Sequence, residues 1–399
     1  MRPGTVLAIA AAGPVFGCAV YLGALSVLAA RQAPPKPGPG TRRFDIVVPA
    51  HNEEAGVGAT VASLRAIDYP AELVRILVVA DNCTDRTAER AEAAGATVLV
   101  RRDAERRGKG YALAHAFEQS ARDGFADVVV VIDADTTVSS NLLRAFDARF
   151  EAGAQVAQAE YGVRNPEASW RTRLMTIALS LFHTLRSLGR ERLELSAGLR
   201  GNGMAFTSRV LQEVPHEAFS IVEDVEYGVR LGLAGHRVHY AAEAEVLGDM
   251  GVSETAAQTQ RLRWEGGRFA LARAHAARLI REGVARRDPV LLDLAMDLLV
   301  PPLSTLTAAC VAGTIATGAA AALRRASPLA VVPWVVSSGC VLFYVARGVT
   351  LSSVGPRGFL DLAWAPVYMV WKAAIAFRKP AHARGEWVRT EREGEQEVG

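Results

Sequence analysis

Three short acidic clusters stand in the first third of this 399-residue chain: His51-Asn52-Glu53-Glu54, Asp81-Asn82-Cys83-Thr84-Asp85 and Asp133-Ala134-Asp135. Each follows a β-branched or apolar run. In an open parallel sheet, ligands collect at the carboxyl ends of the strands, so these runs deliver carboxylates to one edge. Taken singly, each cluster also has a plain structural use. Glu53 and Glu54 suit a helix N-terminus, and Asp81 to Asp85 suit a turn or a cap. Together they repel unless a cation or a donor-rich ligand sits among them. Asp133 and Asp135, spaced Asp-x-Asp, suit a hard divalent ion that keeps positions open for phosphate oxygens.

Candidate positive partners come next. Gly108-Lys109-Gly110 opens a helical pattern, where backbone N–H groups and Lys109 can meet a diphosphate; a solvated loop lysine is the simpler alternative. The motif is neither a Walker A loop nor a GxGxxG, so ATPase and dinucleotide readings lose their main support. Further on come Glu223-Asp224 and Gln260-Arg261-Leu262-Arg263-Trp264. On a helix Gln260, Arg263 and Trp264 share one face. Arg263 then suits a phosphate clamp and Trp264 a flat platform for a sugar ring; an interfacial Trp beside a snorkelling Arg is the alternative.

The elements that must position these groups alternate regularly. Strands are expected at 44–48, 75–80, 97–100 and 127–132, with helices at 53–66, 85–94 and 108–122, which implies right-handed crossovers and a mostly parallel sheet. The run 127–132 is apolar throughout, as in a strand buried on both faces. From 142 to 281 the pattern is less regular, with a short strand near 155–161, a long helix over 169–190 and a turn at 201–203.

Half of the residues are apolar, and the net charge is only +3. That balance offers no global field for nucleic acid. The four cysteines have no paired spacing, so neither a disulfide framework nor a zinc site is expected. Residues 5–30 carry no charge and can cross a hydrocarbon core of about 30 Å. A cleaved signal peptide is the alternative, but the run exceeds a usual h-region of about 7–15 residues. Arg31, Lys36, Arg42 and Arg43 follow it, which by the positive-inside rule places the catalytic part in the cytosol. Residues 31–43 read as a Pro/Gly linker, 44–281 as the catalytic domain and 290–377 as a second membrane region. That region has spans near 298–323 and 329–346, with 359–377 either a third span or an interfacial helix. Residues 378–399 form a charged cytosolic tail.

The ordered set PAHNEE, VVADNCTD, RGKG, DAD, VED and QRLRW over residues 44–270 resembles the family 2 glycosyltransferases, most of all their membrane-bound branch of cellulose-, hyaluronan- and poly-N-acetylglucosamine-synthase-like enzymes. The resemblance implies an α/β, Rossmann-like GT-A domain joined to transmembrane helices, a UDP-sugar donor, and Mg²⁺ or Mn²⁺. It implies that Asp81, with the loop carrying Pro49, His51 and Glu53, holds the nucleoside. Lys109 and Arg263 then meet the diphosphate, Asp133 lies near the nucleotide-sugar and Asp135 at the metal. Asp224 is the implied general base of an inverting transfer to a β-linked product, with Gln260, Asn202 and Trp264 near the acceptor. Ala80 stands where many members carry the first aspartate of a pair. The acceptor is a glycan or is lipid-linked. A chain with about three crossings rich in Ala, Val and Leu can hardly enclose a wide polar channel. This favours a short or lipid-linked product, or else export through a homo-oligomer or a partner. The rival reading is a catalytically silent nucleotide-sugar-binding membrane scaffold, for which an intact Asp224 has no use.

Overall fold

The computed structural model describes residues 3–250 and 254–366, with the side chains of residues 3, 4 and 254–265 outside the description. The chain opens with helix α1 (Pro3–Leu28) and enters the sheet at β1 (Phe44–Ala50). Then follow α2 (Val57–Arg65), β2 (Val74–Asp81), α3 (Thr87–Ala93), β3 (Thr97–Arg101), α4 (Lys109–Asp123) and β4 (Val128–Val131). This alternation matches the expected one, with α2 starting four residues later because Glu53 to Gly56 form a turn ahead of it. The second half comprises β5 (Thr136–Val138), α5 (Leu142–Glu151), β6 (Val156–Val163), α6 (Trp170–Leu179), α7 (Arg186–Arg192), β7 (Met204–Thr207), α8 (Ser208–Glu213), α9 (Glu223–Leu233) and β8 (His239–Gly248). Helices α10 (Glu254–Arg286), α11 (Pro289–Leu299), α12 (Leu303–Ala322) and α13 (Val332–Leu351) complete the main elements.

The eight strands form one sheet in the order β3-β2-β1-β4-β7-β6-β8-β5. The four strands β1 to β4 are parallel, whereas β7 is antiparallel to both β4 and β6, and β5 to β8. With β6 and β8 also parallel, six of the eight strands run the same way, so the sheet is mostly parallel as expected, made mixed by the reversed β5 and β7. The register aligns Ala50 with Ala80, Val47 with Val131, and Val131 with Met204. Since β7 runs the other way, its entry turn lies at the edge where β1, β2 and β4 end.

Side chains alternate across β1: Val47 joins one core, Ile46 and Val48 the other, as the two-residue strand period requires. The second core takes Val57 and Val61 of α2 and Phe146 of α5. The first takes Leu113, Ala116 and Phe117 of α4, and it continues without a break through Leu181, Leu185, Leu22, Leu25 and Tyr344. The sheet domain and the apolar helices thus share one hydrophobic interior.

The long helix expected over 169–190 forms as α6 and α7 joined by a π turn at Ser180–Leu185. The π turn, a device that recurs at functional sites, carries Phe182, whose ring lies under the guanidinium groups of Arg186, Arg200 and Arg268. The apolar run expected at 298–323 is divided by Pro301 and Pro302, which stop α11 and start α12, since proline removes the N–H that a helix interior needs. Among the described residues, three helices are long and apolar enough to cross a membrane: Thr5–Leu28, Leu303–Ala322 and Pro328–Leu351. Their ends lie at two levels. The Ser327 N–H donates to Thr5 Oγ1 (2.9 Å) at one level, and Arg347 donates to the Ala29 carbonyl (2.7 Å) at the other, beside the sheet domain. Of the segment 359–377, residues up to 366 are described. They are docked on α6, with Asp361 held by Arg173 (2.9 Å) and Trp364 stacked on Trp170. The rest of that segment and the tail 378–399 lie outside the described residues.

The linker 31–43 forms neither helix nor strand, yet it is fastened along its length. Arg31 pairs with Glu160 (2.7 Å), the Gly40 N–H donates to Asp147 (2.9 Å), and Arg42 pairs with Glu151 (3.0 Å). It fixes the domain against α1 rather than tethering it loosely.

Candidate active site

The rim of the sheet falls into two parts, and the first is self-contained. Asn52 and Asn82 turn the chain sharply after β1 and β2 with φ of 56° and 52°, a left-handed conformation asparagine tolerates better than most residues. Asn52 Oδ1 accepts from the Thr84 N–H (2.8 Å) and Asn82 Oδ1 from the Asp103 N–H (2.8 Å), so one loop braces the next. Thr87 Oγ1 accepts from the Glu53 N–H (2.8 Å), Asp85 from the Glu54 N–H (3.1 Å), and Glu54 from the Arg86 N–H (3.1 Å). Asp81 is 2% exposed and accepts from Arg101 at 2.6 Å. His51 Nδ1 stands 2.7 Å from the Asp81 carbonyl. The repulsion expected among three acidic clusters therefore does not arise for the first two. The carboxylates of Glu54, Asp81 and Asp85 are balanced by backbone donors and by Arg86 and Arg101, a pairing that motif spacing does not reveal.

The second part is strongly acidic. Asp133 and Asp135 follow β4, and Glu223 and Asp224 open α9. Lys109, the first residue of α4, donates to Asp133 and to the Gly201 carbonyl (2.6 Å) and stands 3.8 Å from Glu223. A Cβ added at Gly201 would lie 3.5 Å from Asp224 Oδ2 and 3.6 Å from Lys109 Nζ. The turn before β7 is thus wedged between the two charges, at φ +78°, where glycine is the natural occupant. Gly110 has a similar need for want of space: a Cβ there would meet the Ala218 carbonyl at 2.3 Å. This close approach is what carries the loop before α9, and with it Glu223 and Asp224, onto the start of α4.

Burial opposes charge on Lys109, but Asp133, Glu223 and Asp224 outweigh it and raise its pKa. Burial raises Glu223 to about 7, with Lys109 lowering it and Asp224 raising it. Asp224 is also raised, by burial first, against its own helix N–H groups, Lys109 and two arginines. Glu223 is buried while Asp224 keeps some exposure, so Asp224 is the carboxylate a substrate can reach.

Asn202, expected near an acceptor, is fully buried. Its Oδ1 accepts from the Asp133 N–H (3.1 Å) and its Nδ2 donates to Thr136 (2.8 Å). It braces the Asp133–Thr136 loop and presents no free edge to a ligand. Tyr161 on β6 is a member that motif reading missed. Burial raises its pKa, as do the adjacent Asp133 and Asp135, so its phenol stays protonated as a donor among acids. Gln260, Arg263 and Trp264 do lie within one helix, α10, but their side chains are outside the described residues. Pro49 is the penultimate residue of β1, so it shapes the strand's exit.

Among the described residues, no three His, Cys, Asp or Glu side chains stand together as a metal-binding group. The all-oxygen pair Asp133 and Asp135 fits a hard divalent ion that takes the rest of its shell from phosphate and water. It does not fit a site built wholly from protein ligands.

Comparison with known proteins places this geometry. The family model described as glycosyltransferase like family 2 matches residues 39–267. The chain is 29% identical over 233 residues to a β-monoglucosyldiacylglycerol synthase of Synechocystis, covering 56% of this chain and 47% of that protein. It is 25% identical over 209 residues to a probable glycosyltransferase of Bacillus subtilis, covering 50% and 48%. The chain thus spans about half the length of these curated relatives. A solved mannosyltransferase of Pyrobaculum calidifontis, in complex with GDP-mannose and Mn²⁺, shares the fold with a TM-score of 0.54 at 19% identity, over 87% of this chain and 98% of that one. The matched domain, with its GT-A α/β sheet, makes this chain a member of the family 2-like glycosyltransferases.

Proposed function

We propose that the chain is a membrane-embedded inverting glycosyltransferase that transfers a sugar from a UDP-sugar to a lipid-linked or glycan acceptor with β linkage. The observation that carries this reading is the position of Asp224, partly exposed beside Lys109 and the Gly201 turn, across from Asp133 and Asp135. Inversion needs a base on the acceptor hydroxyl, in line with a departing diphosphate. Asp224 is the base. The Asp81 loop with Pro49, His51 and Glu53 takes the nucleoside, and Arg263 a diphosphate oxygen. Lys109 supplies positive charge where the diphosphate leaves. Gln260 and Trp264 serve the acceptor.

Asp135, with Asp133, would hold Mg²⁺ or Mn²⁺, which neutralises charge building on the leaving diphosphate. Without a cation, the carboxylates around Lys109 would repel the donor's phosphates. The Mn²⁺ bound in the Pyrobaculum mannosyltransferase supports a divalent ion here.

The membrane reading rests on the three apolar helices. With α1 and α13 parallel and the 323–327 turn level with Thr5, the two crossings that follow the domain, α12 and α13, return the chain to the domain's side, which the basic residues after α1 assign to the cytosol. The lipid product named for the Synechocystis relative supports a lipid acceptor over polymer synthesis. Release of the nucleoside diphosphate from purified protein in detergent, with several UDP- and GDP-sugars and with or without Mn²⁺, tests the proposal. Metal-dependent release from one donor is expected, and no release from any donor contradicts it.

A further inference from the structure

A second charged cluster lies behind Asp224, and its balance is opposite. Arg190, 1% exposed, pairs with Asp293 (3.0 Å) and Asp297 (2.7 Å). Arg186 pairs with Asp297 at 3.0 Å, and Arg268 donates to the Asp297 carbonyl at 2.7 Å. Arg200, 7% exposed, has no carboxylate partner among the described residues; it donates to the Ala197 carbonyl at 2.9 Å and to Ser187 at 3.4 Å. Among the described residues, four arginines thus meet two aspartates, with Asp224 at the margin.

Two guanidinium positions of this cluster have no acceptor among the described residues: Arg200 Nε and one terminal nitrogen of Arg268, both buried. These two arginines stand over the same ring, Phe182 of the π turn, with their guanidinium carbons 4.4 and 4.8 Å from its centroid. Leaving buried donors of a charged group unmet is costly, and a surplus of buried positive charge is costlier still. The surplus is felt nearby: burial and then Arg200 push His183 down to about 3. Burial and the three other arginines bring Arg200 itself to about 10, against Asp297.

The surroundings indicate what approaches. The cluster touches the apolar helices directly, through Tyr344 of α13, which accepts from Arg186 (3.0 Å), and Tyr21 of α1, which accepts from Arg190 (2.7 Å). The side chain of Arg268 is 19% exposed, so the cluster opens at that edge. There Val222 packs against Gly267, and Ile221 and Phe269 stay exposed on either side. An apolar lip thus borders a charged recess next to the proposed base.

From this juxtaposition we infer that Arg200 and Arg268 form a phosphate-recognition pair, separate from the donor's diphosphate contacts, which takes the head group of an anionic amphiphile presented as acceptor from the membrane side. Paired guanidinium groups match phosphate oxygens in geometry as well as charge, and the exposed apolar side chains receive the start of the acyl or prenyl chain. The inference rests on the proposed glycosyltransferase reading and names its acceptor class.

The test uses the full chain in a nonionic detergent and measures binding of dodecyl phosphate, dodecanol and inorganic phosphate by calorimetry, with UDP plus Mn²⁺ as a separate arm. Dodecyl phosphate should bind about tenfold or more tightly than either dodecanol or inorganic phosphate, and Arg268→Gln should remove about tenfold of that affinity while leaving UDP binding within twofold. Arg200→Lys, which keeps the buried charge but loses the fork, should weaken dodecyl phosphate in the same direction. Equal affinity for dodecanol, or no effect of Arg268→Gln, overturns the inference. So does inorganic phosphate binding as well as dodecyl phosphate, which marks a free-phosphate site. Parallel loss of UDP and dodecyl phosphate in Arg268→Gln assigns the pair to the donor instead. Loss of the UDP arm in the parent protein counts against the glycosyltransferase reading and leaves the phosphate arms to be judged separately.

Discussion

Two charged clusters meet at Asp224, and each is built from what the other lacks. On the sheet side, one lysine stands among Asp133, Glu223 and Asp224; on the helix side, three arginines pair with Asp293 and Asp297 and a fourth, Arg200, lies beside them. The first is partly open and unbalanced toward negative charge, as suits a place where a cation and a phosphate-bearing ligand must enter together. The second is deeper and joins α1, α7, α11 and α13 to the catalytic domain. A buried ion network is weak evidence of stability by itself. Its use here is that of a joint, fixing the domain's face against the helices so that Asp224 opens toward them.

The acidic side should respond most to substitution. Asp135→Asn is expected to abolish turnover and to remove the metal dependence of UDP binding, measured by calorimetry with and without Mn²⁺. Unchanged metal dependence would separate Asp135 from the cation. On the arginine side, Asp297 should respond in stability rather than chemistry. Asp297→Asn leaves buried arginines without their shared carboxylate, and breaking such a pair costs about 3–5 kcal/mol. A thermal melt in detergent should show a clear loss, and an unchanged midpoint would mean that the network carries little load.

A pH profile separates the clusters further. Burial brings Glu223 to about 7 and raises Asp224, so the pair loses charge as pH falls through about 7 and activity should fall with it. Glu223→Gln removes a negative neighbour of Asp224, which lowers the pKa of the remaining carboxylate and shifts the limb to lower pH. An unmoved limb would assign the titration elsewhere. Linkage adds a sign: a carboxylate raised in the folded state makes its contribution below its unfolded pKa, and that contribution is lost as pH rises toward 7. The smallest effect concerns arrangement. A cysteine at Ser327 should be labelled from outside intact cells without loss of activity; labelling only after lysis would reverse the topology.

The first half of the fold was legible because β1 to β4 are β-branched runs separated by helical periods and sharp asparagine turns. Strands β5 and β7 were not, being three and four residues long. Nor was β8, whose alanines and glutamates have low strand propensity and which forms because β6 and β5 flank it. Asp133, Asp135, Lys109 and Asp224 were legible as chemistry from their motifs. Their mutual pairing was not, since the Gly201 turn that joins Lys109 to Asp224 lies 92 residues from Lys109. The arginine joint was invisible for the same reason: Arg186, Arg200, Arg268 and Asp297 share no local period and meet only when the helices pack.

The most direct test of the account is Asp224→Asn, followed by two readings on the same preparation: UDP binding with Mn²⁺ by calorimetry, and sugar transfer from the donor identified by screening. A base acts on the acceptor and not on the nucleotide, so UDP binding should stay close to the parent while transfer falls by about 10²-fold or more. Binding and transfer lost in equal measure would show that Asp224 holds the site together rather than performing its chemistry.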